Sequence, residues 1–337
     1  MVRVGVIGIG MMGGCHLDVY GKMPDVQVVA VADRLEERRS RKATTALNLA
    51  ATASAAPTFE GARQYVEGAE LIADADVDLV DICVPTPQHV ELALAALAAG
   101  KHVLMEKPAS GSSAEAQRLI PAAKHARGMI MCAMCMRFWP GWSWLKEAIT
   151  SARYGRLLAA QFRRVSNFPG RWYGEAKDSG GAILDLHIHD TDFIHWCLGM
   201  PRAVRSVGYG RDTAGIDHVV TQYEYPHVPM VVAEGGWSMA DGFGFQMQYC
   251  VNFERATAVF DLSREKPLRL IVRGEAAVDV ELPGGMGYDH EIRYFVDCIA
   301  QGRKPAVVTL EDAVNTLRII EAERQSVLTG ERIAIEA

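Results

Sequence analysis

Residues 2–33 read VRVGVIGIGMMGGCHLDVYGKMPDVQVVAVAD, and the order of features in this stretch decides the fold. Val2 to Ile7 is a short run with Val and Ile on both faces, as in a strand buried inside a parallel sheet. Gly8, Gly10 and Gly13 follow as G-x-G-x-x-G, and a helix is predicted from about Met11 to Tyr20. A second apolar strand, Val26 to Ala32, ends at Asp33, roughly 20 residues beyond Gly13. A glycine trio alone is a weak signal. Set between strand and helix, with an acid closing the next strand, it is the arrangement that binds a dinucleotide. Gly8 permits the tight turn, Gly10 lets backbone approach a pyrophosphate, and Gly13 seats the helix close to the sheet. The expected cofactor contacts are therefore Gly8, Ile9, Gly10, Met11, Met12 and Gly13, at the N–H groups of the helix start. Asp33 is expected to accept from the adenosine ribose and favours NAD over NADP, since its carboxylate repels a 2'-phosphate. Arg34, Arg38 and Arg39 blunt that preference and keep NADP open: an arginine here stacks on adenine or, with Asp33 turned away, pairs with phosphate.

The alternation continues outward. Ala62 to Ile72 reads as a helix and Val77 to Val84 as a strand running into Pro85, Thr86, Pro87, Gln88 and His89. A helix over Val90 to Ala99 and a strand over His102 to Met105 follow, the strand ending in Glu106, Lys107 and Pro108. Polar, proline-rich segments at the carboxyl ends of parallel strands are where such sheets bind ligands. Asp76, Asp78 and Asp81 read as caps and turn residues. Gly111 to Arg127 is a further helical span, and the apolar MIMCAMCM from Met129 to Met136 follows it. Its Cys132 and Cys135 form C-x-x-C, but residues three apart on a strand face opposite sides. No second pair stands at zinc-ribbon spacing. Core thiols are the preferred reading.

The pattern changes after Arg137-Phe138-Trp139-Pro140-Gly141, placing a dinucleotide-binding domain over 1–132 and a second domain over 133–337. One helix, Trp142 to Ser151, precedes extended segments at Leu157–Val165, Ala203–Gly208, His218–Tyr225, Val231–Trp237, Phe245–Phe253, Thr257–Leu262, Leu268–Val272 and Ala277–Leu282. Crossover helices are missing between most of them, which predicts an antiparallel sheet with one face covered. The other face, rich in aromatics and Met, is free to meet the first domain or another subunit.

Between these strands lies GGAILDLHIHDTDFIHWCLG, Gly180 to Gly199, a helix ended by Gly199 and Pro201. At about 100° per residue, Asp185, His189, Asp192 and Trp196 share a narrow arc, while the remaining circumference is mostly apolar. Burying carboxylates and an imidazole is costly unless they are paired or used. This arc is therefore the catalytic candidate. His187 and His195 point elsewhere and read as satisfied interior or interface histidines. A metal on Asp185, His187, His189 and Asp192 is disfavoured because His187 cannot join the others, so no metal is expected. Toward the end, Asp289 to Ile299 and Thr309 to Leu328 form helices, the latter opened by a Thr309/Asp312 capping box. Tyr288, Asp289 and His290 follow a flexible glycine run and either reach a cleft or form a turn.

The chain has 337 residues, a net charge of -6 and 49% apolar residues, which fits a two-domain globular protein. Its acidic balance offers nucleic acid no positive surface, and the run Arg38, Arg39, Arg41, Lys42 reads as a solvated face or cofactor rim. Seven cysteines scattered through apolar segments, an odd number, suggest buried reduced thiols in a cytoplasmic protein. No apolar stretch reaches membrane-spanning length.

Together VGVIGIGMMG, ICVPTPQHVELALAALAAGKHVLMEKP and SGGAILDLHIHDTDFIHWCLG resemble the glucose-fructose oxidoreductase / inositol dehydrogenase / rhizopine-catabolism (Gfo/Idh/MocA) oxidoreductase family over nearly the whole chain. The resemblance implies an α/β Rossmann domain, then an α+β domain with an open, predominantly antiparallel sheet that often forms a homo-oligomer interface (dimer or tetramer). It implies hydride transfer between NAD or NADP and a hydroxyl-bearing carbon of a sugar, polyol or related substrate. Alternatives are a dihydrodiol, imine or deoxysugar substrate, NAD-dependent glycoside cleavage, and a non-catalytic dinucleotide-responsive regulator. The family's catalytic lysine, aspartate and histidine fall on Lys107, Asp185 and His189, with the Lys107–Pro108 bond commonly cis. Glu106 is implied beside the nicotinamide ribose, Pro85, Thr86 and His89 along the cofactor groove, and Trp172 or Tyr173 as a substrate contact. The family's usual D-x-G-x-H carries His187 in place of glycine here.

Overall fold

Strand β1 (Val2–Ile7) sits mid-sheet, with Val4 and Val6 fully buried, as its two-sided apolar pattern requires. It pairs in parallel with β2 (Val26–Ala32) on one side and β4 (Leu79–Ile82) on the other. With β3 (Arg63–Tyr65), β5 (His102–Glu106) and β6 (Ile130–Ala133) the order is β3-β2-β1-β4-β5-β6, every neighbouring pair parallel. The chain leaves β1 in one direction and returns on its other side at β4. That reversal opens a crevice beyond the carboxyl ends of β1 and β4. Helices α1 (Met11–Tyr20), α2 (Glu36–Arg39), α3 (Gly68–Ala73), α4 (His89–Ala98), α5 (Ser113–Ala116) and α6 (Leu119–His125) complete this part.

The computed structural model describes residues 1–40, 59–175 and 179–336, without the side chains of 171 and 172. Arg41 and Lys42 of the basic run, and the Trp172 side chain, lie outside the described residues. The chain forms two compact units, Met1–Cys135 with Gly287–Val314, and Met136–Met286 with Asn315–Ala337. The segment Gly287–Val314 thus interrupts the second domain drawn over 133–337. Within the first unit, Arg293 pairs with Asp25 at 2.7 Å.

Two expected helices differ. Ala62 to Ile72 instead supplies edge strand β3, paired with Ala30–Ala32, and then the short α3. Sheet-edge pairing outweighs helical periodicity there, and α3 starts at a Glu67/Glu70 capping box. The span Gly111–Arg127 breaks into α5 and α6. Pro121, in the first turn of α6, has no N–H with which to continue a bond back to Gln117.

In the second unit α7 (Pro140–Thr150) precedes a nine-stranded sheet. Its strands are β7 (Leu157–Asn167), β8 (Ala203–Tyr209), β9 (His218–Glu224), β10 (Met230–Met239), β11 (Phe245–Phe253), β12 (Ala256–Asp261), β13 (Leu268–Val272), β14 (Val278–Asp279) and β15 (Ile333–Ala334), in the order β14-β13-β12-β11-β7-β10-β9-β8-β15. The sheet is mostly antiparallel, with β7 and β10 paired in parallel, because helix-containing chain separates those two strands. A π-helical turn (Ile183–His187) and α8 (Ile188–Leu198) lie between β7 and β8. Phe193 of α8 meets Trp142 of α7 edge-on at 6.3 Å, and Trp142 meets Tyr249 and Phe260 of the sheet at 5.0 and 4.6 Å. These contacts cover one sheet face with an apolar core. Helices α9 (Gly287–Ala300) and α10 (Leu310–Thr329) close the chain. The Thr309/Asp312 capping box forms in both directions, at 3.2 and 3.0 Å. Among the described residues no helix is long and apolar enough to cross a membrane.

Candidate active site

The loop between β1 and α1 leaves no room for side chains at two of its glycines. A Cβ on Gly8, whose φ is +90°, would stand 2.6 Å from the Cys83 carbonyl oxygen, and one on Gly13 would stand 1.9 Å from that of Gly8. Gly10 differs: among the described residues a Cβ there would meet only Arg38 Nη1, at 3.6 Å. No side chain caps α1 and its first turn carries no acid. The N–H groups at Met11, Met12 and Gly13 therefore form an anion-accepting end. That cradle fits a dinucleotide diphosphate.

Asp33 ends β2 as expected, and its carboxylate also braces the loop. Oδ2 accepts from Ile9 N at 2.8 Å and Oδ1 from Leu35 N at 2.9 Å. Arg38 Nη1 lies 3.3 Å from Oδ2, Arg39 donates to the Asp33 carbonyl, and Arg34 turns to Glu67 at 3.1 Å. Arg38 thus remains beside the acid and Arg34 does not.

Pro85 and Thr86 follow β4, with Thr86 buried in a short 3-10 turn. His89 is buried in the wall. Its Nδ1 lies 2.8 Å from the Pro108 carbonyl and its Nε2 2.8 Å from that of Val84. Burial pulls the imidazole pKa down, and a neutral ring donates to only one of the two, the tautomer deciding which. Its role is to tie the β4 turn to the β5 turn. The Lys107–Pro108 peptide is cis, and Lys107 is half-buried. Glu106 is buried, with Oε2 accepting from Lys107 N at 3.0 Å and Oε1 lying 3.1 Å from His16 Nε2.

His16 was not singled out from the sequence, and Asp81 does not act as a cap. Asp81 is fully buried inside β4, where it binds His16 Nδ1 at 2.8 Å and Tyr20 Oη at 2.9 Å. The signal was an acid amid the apolar VDLVDICV, too costly to bury unpaired. His16, Asp81 and Cys83 are the one trio among the described residues whose ligand atoms lie within 4.8 Å of one another. The 2.8 Å contact is a hydrogen bond, shorter than the roughly 3.3–3.8 Å between two ligands of one tetrahedral zinc.

In the second unit, Gly180 and Gly181 adopt φ of +75° and +79° and lead into the π turn. Such a turn interrupts the 100° progression assumed for the polar arc. Asp185 and His189 are half-buried. Asp192, expected with them, is instead held by Arg137, Nη2–Oδ1 2.7 Å and Nε–Oδ2 2.9 Å. Asp190 is held likewise by Arg164 at 2.9 and 3.0 Å. Two buried bidentate pairs thus fix the helix carrying His189. His187 and His195 are interior, as expected, but His187 is only half satisfied: its Nε2 lies 3.2 Å from Tyr223 Oη and 3.3 Å from Glu323 Oε2, while its buried Nδ1 makes no hydrogen bond. Tyr173 meets Trp237 at 5.8 Å, and Trp237 Nε1 donates to Asp217 at 2.9 Å. Asp217 also gathers the N–H groups of Arg211, Asp212 and Thr213. The loop so fixed presents the Ile216 carbonyl to Ile183 N at 3.2 Å, bracing the π turn.

Residues 2–134 match the model described as an oxidoreductase family with an NAD-binding Rossmann fold, and residues 142–259 match the GFO/IDH/MocA C-terminal domain. An inositol 2-dehydrogenase of Acidothermus cellulolyticus is 30% identical over 90% of this chain and 86% of its own length. Human trans-1,2-dihydrobenzene-1,2-diol dehydrogenase is 25% identical, with 97% of each chain covered. A levoglucosan dehydrogenase solved with NADH superposes with a TM-score of 0.86 at 21% identity, covering 99% of both chains.

Proposed function

This chain belongs to the GFO/IDH/MocA oxidoreductase family, and from that premise we propose that it moves hydride between NAD(H) and a hydroxyl-bearing carbon of a sugar or polyol. The observation that carries the reading is the Gly8–Gly13 loop, where two glycines are sterically obligatory and the third stands at an uncapped helix start with room for ordinary contact. Asp33 at the end of β2 supports NAD over NADP, while Arg38 beside it leaves NADP within reach. The relatives' activities on inositol and a dihydrodiol support a cyclic substrate with vicinal hydroxyls.

Bound nicotinamide supplies the hydride acceptor or donor. In the oxidative direction His189 takes the hydroxyl proton, a task suited to an imidazole whose reference pKa, about 6.5, lies near neutrality. The Lys107 ammonium hydrogen-bonds the reacting oxygen and stabilises its developing negative charge. Asp185 orients a neighbouring hydroxyl. Reduction reverses both transfers. Screening cyclic polyols, anhydrosugars and dihydrodiols with NAD and NADP tests the assignment. Formation of reduced cofactor supports it. Release of a leaving group without net cofactor turnover would indicate glycoside cleavage instead.

A further inference from the structure

The dinucleotide-binding unit contains a buried ionisable cluster that the proposed hydride transfer does not use. His16 of α1 is fully buried between two carboxylates, Nδ1 lying 2.8 Å from Asp81 Oδ2 and Nε2 3.1 Å from Glu106 Oε1. The first contact is an aligned hydrogen bond. The second is close but misaligned, and Nε2 makes no hydrogen bond. Tyr20 Oη donates to Asp81 at 2.9 Å, and Cys83 Sγ lies 3.5 Å from Nδ1 and 3.4 Å from Asp81 Oδ1. Glu291 and Tyr288 of α9 and Cys15 of α1 complete the surroundings.

A neutral imidazole carries one N–H, so a ring facing a carboxylate at each nitrogen satisfies both only as imidazolium. Burial opposes that charge, yet the Asp81 carboxylate outweighs it, and the His16 pKa stands well above its ordinary value. Glu106 is the link to the site. Its Oε1 faces the ring while its Oε2 accepts the backbone N–H of Lys107.

We propose that His16 is a positioning residue that fixes the Glu106 carboxylate and, through it, the backbone at Lys107, in the arrangement that dinucleotide binding needs. This rests on reading Glu106 and Lys107 as cofactor-side residues. Asp81 serves as the counter-ion that keeps the ring doubly protonated. Replacing Asp81 by asparagine removes the counter-ion and lets the ring lose a proton, so the Glu106 carboxylate then faces a neutral ring and is no longer held by its charge.

The test is a pair of double-mutant cycles read as the NAD dissociation constant by calorimetry on the full-length protein, with thermal unfolding alongside. His16→Asn and Asp81→Asn are each expected to weaken NAD binding about ten-fold in the Glu106 protein. In a Glu106→Gln background each is expected to change binding less than two-fold, because a glutamine amide can donate to a neutral Nε2 and no carboxylate remains to be fixed. Equal losses in both backgrounds, or no loss in either, would overturn the proposal and leave a purely structural cluster. Asp81→Asn, the near-isosteric change, decides the matter where His16→Asn does not fold. Absence of NAD binding by the unsubstituted protein would instead overturn the functional reading, and this inference with it.

Discussion

Arg137 and Asp192 meet in a two-pronged ion pair of 2.7 and 2.9 Å with neither side chain more than 1% exposed. Thr316 Oγ1 adds a third bond to Asp192 at 3.1 Å, and the guanidinium lies 5.6 Å from the Trp196 ring. The pair gives the Asp192 carboxylate its counter-charge, so its burial needs no catalytic use to explain it. Removing one partner strands the other in the core, at a cost of about 3–5 kcal/mol. Arg137→Met should lower unfolding stability in urea by about that amount, and adding Asp192→Leu should recover a large part of it.

A second stability test concerns the departure from D-x-G-x-H. His187 packs against Gly235 of β10, where a Cβ would stand 2.5 Å from His187 Nδ1 and 2.8 Å from its Cβ. The bulk added on the helix is accommodated by a strand position without a side chain. Gly235→Ala should therefore destabilise by about 1–3 kcal/mol through overpacking. In a His187→Gly background the same substitution should cost much less, as thermal unfolding of the four proteins would show.

The parts legible in the sequence were those governed by local rules. The Gly8–Gly13 loop, the Val2–Ile7 and Val26–Ala32 strands, the Thr309/Asp312 cap and the core placing of Cys132 and Cys135 each follow from spacing and neighbouring residues, whereas Cys250, read as buried, is exposed. Non-local pairings were not legible. Arg137 and Asp192 are 55 residues apart and His16 and Asp81 are 65 apart, and no local pattern joins them. The π turn at Ile183–His187 has no periodic signature either, and it breaks the uniform α-helical spacing between Asp185 and the residues of α8. Edge strand β3 was missed because its three residues are too few to show alternation.

Glu291 provides a pH test. Burial and the nearby Glu106 charge push its carboxyl well above the ordinary range, although His16 pulls the other way, and neither oxygen has a hydrogen-bond partner. The unfolded chain releases this proton near its reference pKa, about 4.3, whereas the folded protein keeps it to higher pH. Its contribution is therefore fully present below about pH 4.3 and is lost as pH rises through the folded value. Glu291→Gln should melt higher than the unsubstituted protein at pH 8, with the difference shrinking toward pH 5. A constant difference across that range would reject the assignment.

Cofactor choice tests the role proposed for Asp33. Its carboxylate accepts from Ile9 N and Leu35 N as well as facing Arg38. Asp33→Ala should weaken NAD binding and loosen the loop, while NADP binding falls less or rises because Arg38 loses its counter-ion. Titration of both dinucleotides against both proteins gives the ratio. An unchanged ratio would remove Asp33 from cofactor selection.

The central claim is that His189 moves the proton that accompanies hydride transfer. Its most direct test is the turnover of His189→Ala with the best substrate from the screen, measured beside NAD affinity. The expected result is NAD affinity within about two-fold of the unsubstituted protein and kcat lower by about 100-fold or more. Turnover at the unsubstituted rate would contradict the account.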